Sequence, residues 1–150
     1  MIGRFLVGGA VNATTLAVIA FLLSRFAGDV VGRFLLVIFL FIAGGAYVGF
    51  AVGAGVSPAW AAAEVLHIVV FGSMGLLGLR DSAYWIAAGW ALHPLWDAAL
   101  HYFGPGRSVA PASWAISCVS FDLVLAGYLA MAYGLGLVGD RRPAIRHRAT

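Results

Sequence analysis

Five apolar runs, at about residues 5–24, 34–54, 59–79, 83–103 and 110–137, take up nearly all of this 150-residue chain. Each is close to the ~20 residues an α-helix needs to cross the hydrocarbon core of a bilayer. The breaks between them, RFAGDVVGR, GAGVSP, GLRDS and FGPGRSVAP, are short and concentrate glycine, proline and charge. Consecutive helices are therefore expected to be antiparallel neighbours in an all-α, polytopic transmembrane helix bundle of about five spans.

Such runs leave little chain for anything else. Hydrophobic residues make up 63% of the sequence and charged residues 10%, against about 25% charged in soluble domains. One domain, residues 1–138, is expected to hold the bundle, followed by a basic tail at 139–150, GDRRPAIRHRAT. The net charge of +3 comes from nine arginines and no lysine, largely from that tail. This is a membrane-flanking pattern that leaves no basic patch for nucleic acid. With five spans, Arg25, Arg33, Arg80, Arg141, Arg142, Arg146 and Arg148 gather on one side and only Arg4 and Arg107 on the other. An excess of arginine marks the cytoplasmic side, so the N-terminus is expected outside and the C-terminus in the cytoplasm, in a bacterial-type inner membrane. The first run is long and lacks a small-residue cleavage site, so it reads as a retained helix. A single cysteine, Cys118, excludes an internal disulfide and a cysteine-only metal site.

In the second run, AGGAYVGFAVGAG, Gly45, Gly49 and Gly53 recur every fourth residue on nearly one face. Small residues at that spacing let helices approach closely. Tight packing inside the monomer is the plainer expectation, and a homodimer face the sharper one.

Ionisable groups inside a membrane are costly and turn to the bundle interior, a cavity or a partner. The fourth run, GWALHPLWDAALHYFG at 89–104, carries His93, Asp97 and His101; the third carries Glu64 and His67, and the fifth Asp122. At about 1.5 Å per residue, His101, Asp97 and His93 lie at about 3, 9 and 15 Å from the external end, Glu64 and His67 at about 8 and 12 Å, and Asp122 at about 18 Å. All six share the outer half of the membrane. Residues four apart on a helix share a face, drifting by about 40° per step, so two helices can turn imidazoles and carboxylates towards one cavity, with His101 near enough to the end to be merely interfacial. Pro94 removes a backbone donor and is expected to kink the helix, freeing the Trp90 carbonyl and widening the space beside His93. Ser117 and Cys118 are potential nucleophiles or ligands, although serines in membrane helices commonly bond their own backbone carbonyls. Trp60, Trp85 and Trp114 fall near helix ends, where indoles favour the interface. Trp90 and Trp96 lie deeper, either as core packing or as the lining of a substrate pocket.

GLRDSAYWIAAGWALHPLWDAALHYFG, followed by AISCVSFD, resembles an uncharacterised family of small bacterial integral membrane proteins, a domain of unknown function, over roughly residues 45–130. The matching positions are Glu64, Gly89, Trp90, His93, Trp96, Asp97, His101, Cys118 and Asp122. Leu100 and Phe121 stand where that pattern suggests a second histidine and a second cysteine, and His67 lies outside it. The resemblance selects residues and implies no reaction.

The residue types suit two chemistries for a membrane-embedded enzyme acting on a lipophilic substrate such as an isoprenoid or a lipid. His93, Asp97, His101 and Glu64, with help from Asp122, form a ligand set for a divalent metal such as zinc or iron. Without a metal, a carboxyl among Asp97, Asp122 and Glu64 would act as general acid, with Trp90 and Trp96 lining the pocket. A small carrier or proton relay is an alternative, since such residues also mark ion pathways. A haem-binding or accessory subunit using His67 and His93 as axial ligands is another.

Overall fold

The computed structural model describes residues 2–139, which form five helices and no strand. Residues 140–150, nearly all of the expected basic tail, lie outside the described residues. α1 spans Ile2–Phe26, α2 Asp29–Gly53, α3 Pro58–Arg80, α4 Ala83–Trp96 and α5 Ala112–Gly134. Four of these are long and apolar enough to cross a membrane: α1, α2, α3 and α5. The fourth reaches comparable length only because its 14 α-helical residues run directly into a six-residue π-helical segment, Asp97–Tyr102. That segment leads into a short 3₁₀ turn at Pro105–Ser108.

Local signals explain the boundaries. Gly28 takes φ 110° between α1 and α2, a conformation that L side chains rarely adopt, so two residues suffice to reverse the chain. The Ser57 hydroxyl accepts from the Trp60 N–H and Pro58 occupies the first turn of α3, while the Ser82 hydroxyl caps α4 through the Tyr84 N–H. α2 starts five residues before the apolar run at 34, against the expectation that RFAGDVVGR forms a break. The charges there are satisfied internally. Arg33 Nε lies 2.9 Å from Asp29 Oδ2, Arg33 Nη1 donates to the Gly78 carbonyl at 2.9 Å, and the Tyr133 hydroxyl donates to Asp29 Oδ1 at 2.6 Å. This clamp ties α2, α3 and α5 together at one end of the bundle.

Each helix packs on its chain neighbours, and α5 closes the ring against α1. Leu16, Leu36, Leu40, Ile86, Trp90, Leu125 and Leu129 fill the middle, while Val11, Val18, Phe34, Leu66, Val69 and Leu123 point outward and exposed. An apolar exterior around a packed interior suits a bilayer. Close approach of α2 and α3 depends on Gly75, where an added Cβ would stand 2.9 Å from Val37 Cγ1. Gly45, Gly49 and Gly53 do not pack inside the monomer: a Cβ at any of them would meet nothing within 4 Å among the described residues. The stripe faces away from α3, which packs on the adjacent residue Gly44 through Ile68 and His67 instead.

Candidate functional site

All six intramembrane ionisable residues, Glu64, His67, His93, Asp97, His101 and Asp122, are buried to 1% exposure or less. They gather in one layer, in the half of the bundle that holds the start of α1, and fall into two groups.

The first group is built around His93. Its Nδ1 lies 2.9 Å from Asp122 Oδ2 and 3.3 Å from Asp97 Oδ2. One ligand atom from each of the three residues can be chosen so that all lie within 4.8 Å of one another. A single Nδ1–H cannot fully satisfy two carboxylates, and Asp97 Oδ1, Asp122 Oδ1 and His93 Nε2 have no hydrogen-bond partner. Two metal–ligand bonds of about 2.0–2.2 Å at a tetrahedral angle separate their ligand atoms by about 3.4 Å, close to the 3.3 and 2.9 Å from His93 Nδ1 to the two carboxylates. The donor set therefore fits a divalent cation of the zinc or iron type.

The second group pairs Glu64 and His101, with His101 Nε2 3.2 Å from Glu64 Oε1. The Trp96 indole N–H donates to Glu64 Oε2 at 3.3 Å. His101 is not interfacial, as its count from the helix end had suggested. The chain after the π-helical segment folds over it, and its Nδ1 lies 3.3 Å from the Gly106 carbonyl. A Cβ on Gly106 would come within 2.7 Å of that nitrogen, so glycine permits this cover. The π-helical geometry matters too. With i→i+5 bonding, as from the Phe103 N–H to the Ala98 carbonyl, the turn is wider than in an α-helix. Asp97 and His101 then span less than one turn, instead of drifting past it. Pro94 explains the change of helix type: it denies the Trp90 carbonyl its usual donor three residues before the segment starts.

Between the groups stand Tyr47 and His67. The Tyr47 ring stacks on His101 with centroids 4.1 Å apart, and its hydroxyl faces Asp97 outside good hydrogen-bond geometry. The His67 ring stacks on Trp96 at 4.6 Å and lies 4.7 Å from the His93 ring. Both of its nitrogens are buried and unpartnered. Tyr47 was missed in the sequence, where it stands among glycines and alanines and counts as one more aromatic.

The metal set read from the sequence is thus divided: His93 and Asp97 join Asp122, whereas Glu64 pairs with His101. Trp90 is fully buried in the central core, and Trp96 covers His67. Asp122 instead borders a laterally open cleft of about 220 Å³ between α1, α2 and α5. Its walls are Phe39 and Ile42, Trp114 and Phe121, and Asn12, with Cys118 and Asp122 on the α5 side. Ser117, also on this wall, donates to the Ser113 carbonyl, and Ser120 to the Ser117 carbonyl, as serines in membrane helices commonly do.

No curated protein and no solved structure matches the chain. A family model does, over residues 8–134, and so takes in every residue of both groups and of the cleft. The chain belongs to this family, described as a family of unknown function (DUF6010).

Proposed function

We propose that this protein is a membrane-embedded enzyme that acts on a lipophilic substrate at a divalent metal held by His93, Asp97 and Asp122. The observation that carries the proposal is the double placement of Asp122. One residue belongs both to the buried trio and to the wall of a cleft open to the surrounding lipid. A substrate dissolved in the bilayer could reach the trio from the side without crossing water. A metal there would polarise a carbonyl or activate water or oxygen. Glu64 and His101 would hold a proton beside it, and His67, with both nitrogens unpartnered, has its ring 4.7 Å from that of His93. The arginine distribution supports a bacterial-type inner membrane with the N-terminus outside, which would put the site nearer the outer leaflet.

The rival readings fit less well. A relay across the membrane would have to pass the apolar plug of Leu36, Leu40, Trp90, Leu125 and Leu129, which separates the polar layer from the Asp29–Arg33–Tyr133 clamp. Axial haem ligation by His67 and His93 would need a slot for the macrocycle between rings whose centroids are 4.7 Å apart.

The test is elemental analysis of detergent-purified protein together with comparison of lipid extracts from cells expressing wild type or Asp122→Asn. The expected result is about one transition metal per wild-type chain, lost in the variant, and a lipid species consumed or formed only with wild type. A metal-free wild type purified without chelator would overturn the metal centre, and identical extracts from both cell lines would overturn the enzyme.

A further inference from the structure

Asn12 is the only carboxamide in the chain, which has no other asparagine and no glutamine. It sits in the apolar stretch of α1 and is exposed there. The neighbouring polar side chains, Thr14 and Thr15, turn back onto the Ala10 and Val11 carbonyls at 2.8 and 3.0 Å. Asn12 makes no such bond among the described residues. An unpartnered amide in hydrocarbon is unfavourable, and nothing in the packing of α1 requires one. What distinguishes its location is the cleft: Asn12 and Gly9 form its α1 wall, and Asp122 belongs to its α5 wall.

The two residues also match in depth. Each stands ten residues after the first residue of its helix, Ile2 or Ala112, or about 15 Å along the axis. α1 and α5 begin at the same end of the bundle. About 15 Å is half the thickness of the hydrocarbon core, beyond the reach of a phospholipid headgroup. The cleft has no basic lining residue, so an anionic group would find no counter-charge. At about 220 Å³ it is also smaller than the 300–1,000 Å³ pockets that enclose whole drug-sized ligands. It therefore admits part of a slender molecule whose remainder stays in the bilayer.

We infer that Asn12 is the specificity residue of this cleft and that it hydrogen-bonds the neutral oxygen, hydroxyl or carbonyl, of a long-chain lipid able to bring that oxygen to mid-membrane. An amide both donates and accepts, so it suits either oxygen type and discriminates against a plain hydrocarbon. The inference rests on the reading that the cleft is the approach to the proposed centre, with Asn12 holding the oxygen at the α1 wall.

The test uses the full chain in phosphatidylcholine nanodiscs and three long-chain probes of equal length carrying the same mid-chain diazirine: a primary alcohol, a methyl ketone and a hydrocarbon. After irradiation, mass spectrometry locates the adducts. In wild type, Phe39, Ile42, Trp114 and Phe121 should be labelled about three- to tenfold more by the alcohol, the ketone or both than by the hydrocarbon, the range expected for one hydrogen bond in a membrane. The preferred probe identifies the oxygen type. Asn12→Leu should lower oxygen-probe labelling to the hydrocarbon level while leaving hydrocarbon labelling unchanged, which also reports that the cleft is intact. Asn12→Gln should restore part of the preference. Equal labelling by all three probes in wild type, or a preference that survives in Asn12→Leu, would overturn the inference. Metal content measured on the same samples separates the two readings. Selectivity without metal removes the metal centre and leaves Asn12's role standing, whereas metal without selectivity removes Asn12's role alone.

Discussion

The bundle carries polar networks at both ends, one partly buried and one fully buried, and the two are built differently. In the clamp, every charged group has an oppositely charged or hydrogen-bonding partner: Asp29 takes Arg33 and Tyr133, and Arg33 also reaches the Gly78 carbonyl, only the Arg33 Nε–H being out of line for a hydrogen bond. In the other layer, eight ring, carboxylate and hydroxyl atoms of Tyr47, Glu64, His67, His93, Asp97, His101 and Asp122 have no hydrogen-bond partner, among them both nitrogens of His67 and one oxygen of each aspartate. Buried polar groups in folded proteins are overwhelmingly paired, because an unmet one keeps its desolvation cost. A satisfied network holds helices together. An unsatisfied one, retained at that cost, supports the proposed ligand site.

The contrast is tested most severely by removing charge from the unsatisfied layer. Asp97→Asn with Asp122→Asn should abolish metal binding and lower turnover by about a thousandfold or more, since the proposed centre loses two of three ligands. The same double variant, treated with chelator and compared with chelated wild type, should be no less stable, because it removes two buried carboxylates whose charge is incompletely paired and keeps their shape. Unfolding in mixed micelles measures the second quantity. A strongly destabilised double variant would mean that the carboxylates are structural partners, and the distinction between the two ends would collapse.

The clamp should respond in the opposite sense. Asp29→Ala leaves the Arg33 guanidinium and the Tyr133 hydroxyl short of their acceptor, which should cost about 2–4 kcal/mol. Metal content per folded chain should not change. Thermal unfolding read beside elemental analysis would show whether the loss is confined to stability.

Much of this arrangement is visible in the sequence, for a physical reason. Helix number follows from the length of the apolar runs, and the shared depth of Glu64, His93, Asp97, His101 and Asp122 follows from a fixed rise per residue. Both are one-dimensional quantities. Which of those side chains touch is a property of helix order and rotation, which a single chain does not display, and so Asp122 replaces Glu64 and His101 beside His93. The π-helical segment was foreshadowed only as a kink at Pro94. The early start of α2 was hidden because Asp29 and Arg33 look like a loop until Tyr133, 104 residues later, is brought beside them. Asn12 was legible in principle, as the one amide in the chain, and was passed over because a lone uncharged polar residue does not interrupt an apolar run.

Two tyrosines give a matched pair. Tyr133 donates a 2.6 Å hydrogen bond within the clamp, whereas the Tyr47 hydroxyl is buried without one. Removing the hydroxyl from each should therefore give results of different sign. Tyr133→Phe should cost about 1–2 kcal/mol, and Tyr47→Phe should be neutral or stabilising by up to about 1 kcal/mol, because it deletes an unmet polar group and keeps the ring stacked on His101. Equal costs at both positions would show that Tyr47 has a structural partner after all.

The smallest effect is expected at the one well-defined side-chain bond in the unsatisfied layer that reaches another helix from an indole, Trp96 Nε1 to Glu64 Oε2 at 3.3 Å. Trp96→Phe removes that donor and leaves an aromatic ring over His67. Hydrogen bonds between membrane helices average about 0.6 kcal/mol, so stability should fall by no more than about 1 kcal/mol. The effect on function is the more informative part. Glu64 would keep only His101 as a partner, and if this pair holds a proton beside the metal, the pH dependence of turnover should shift while metal content stays constant. A variant that loses metal instead would place Glu64 in the ligand set and join the two groups of the layer into one.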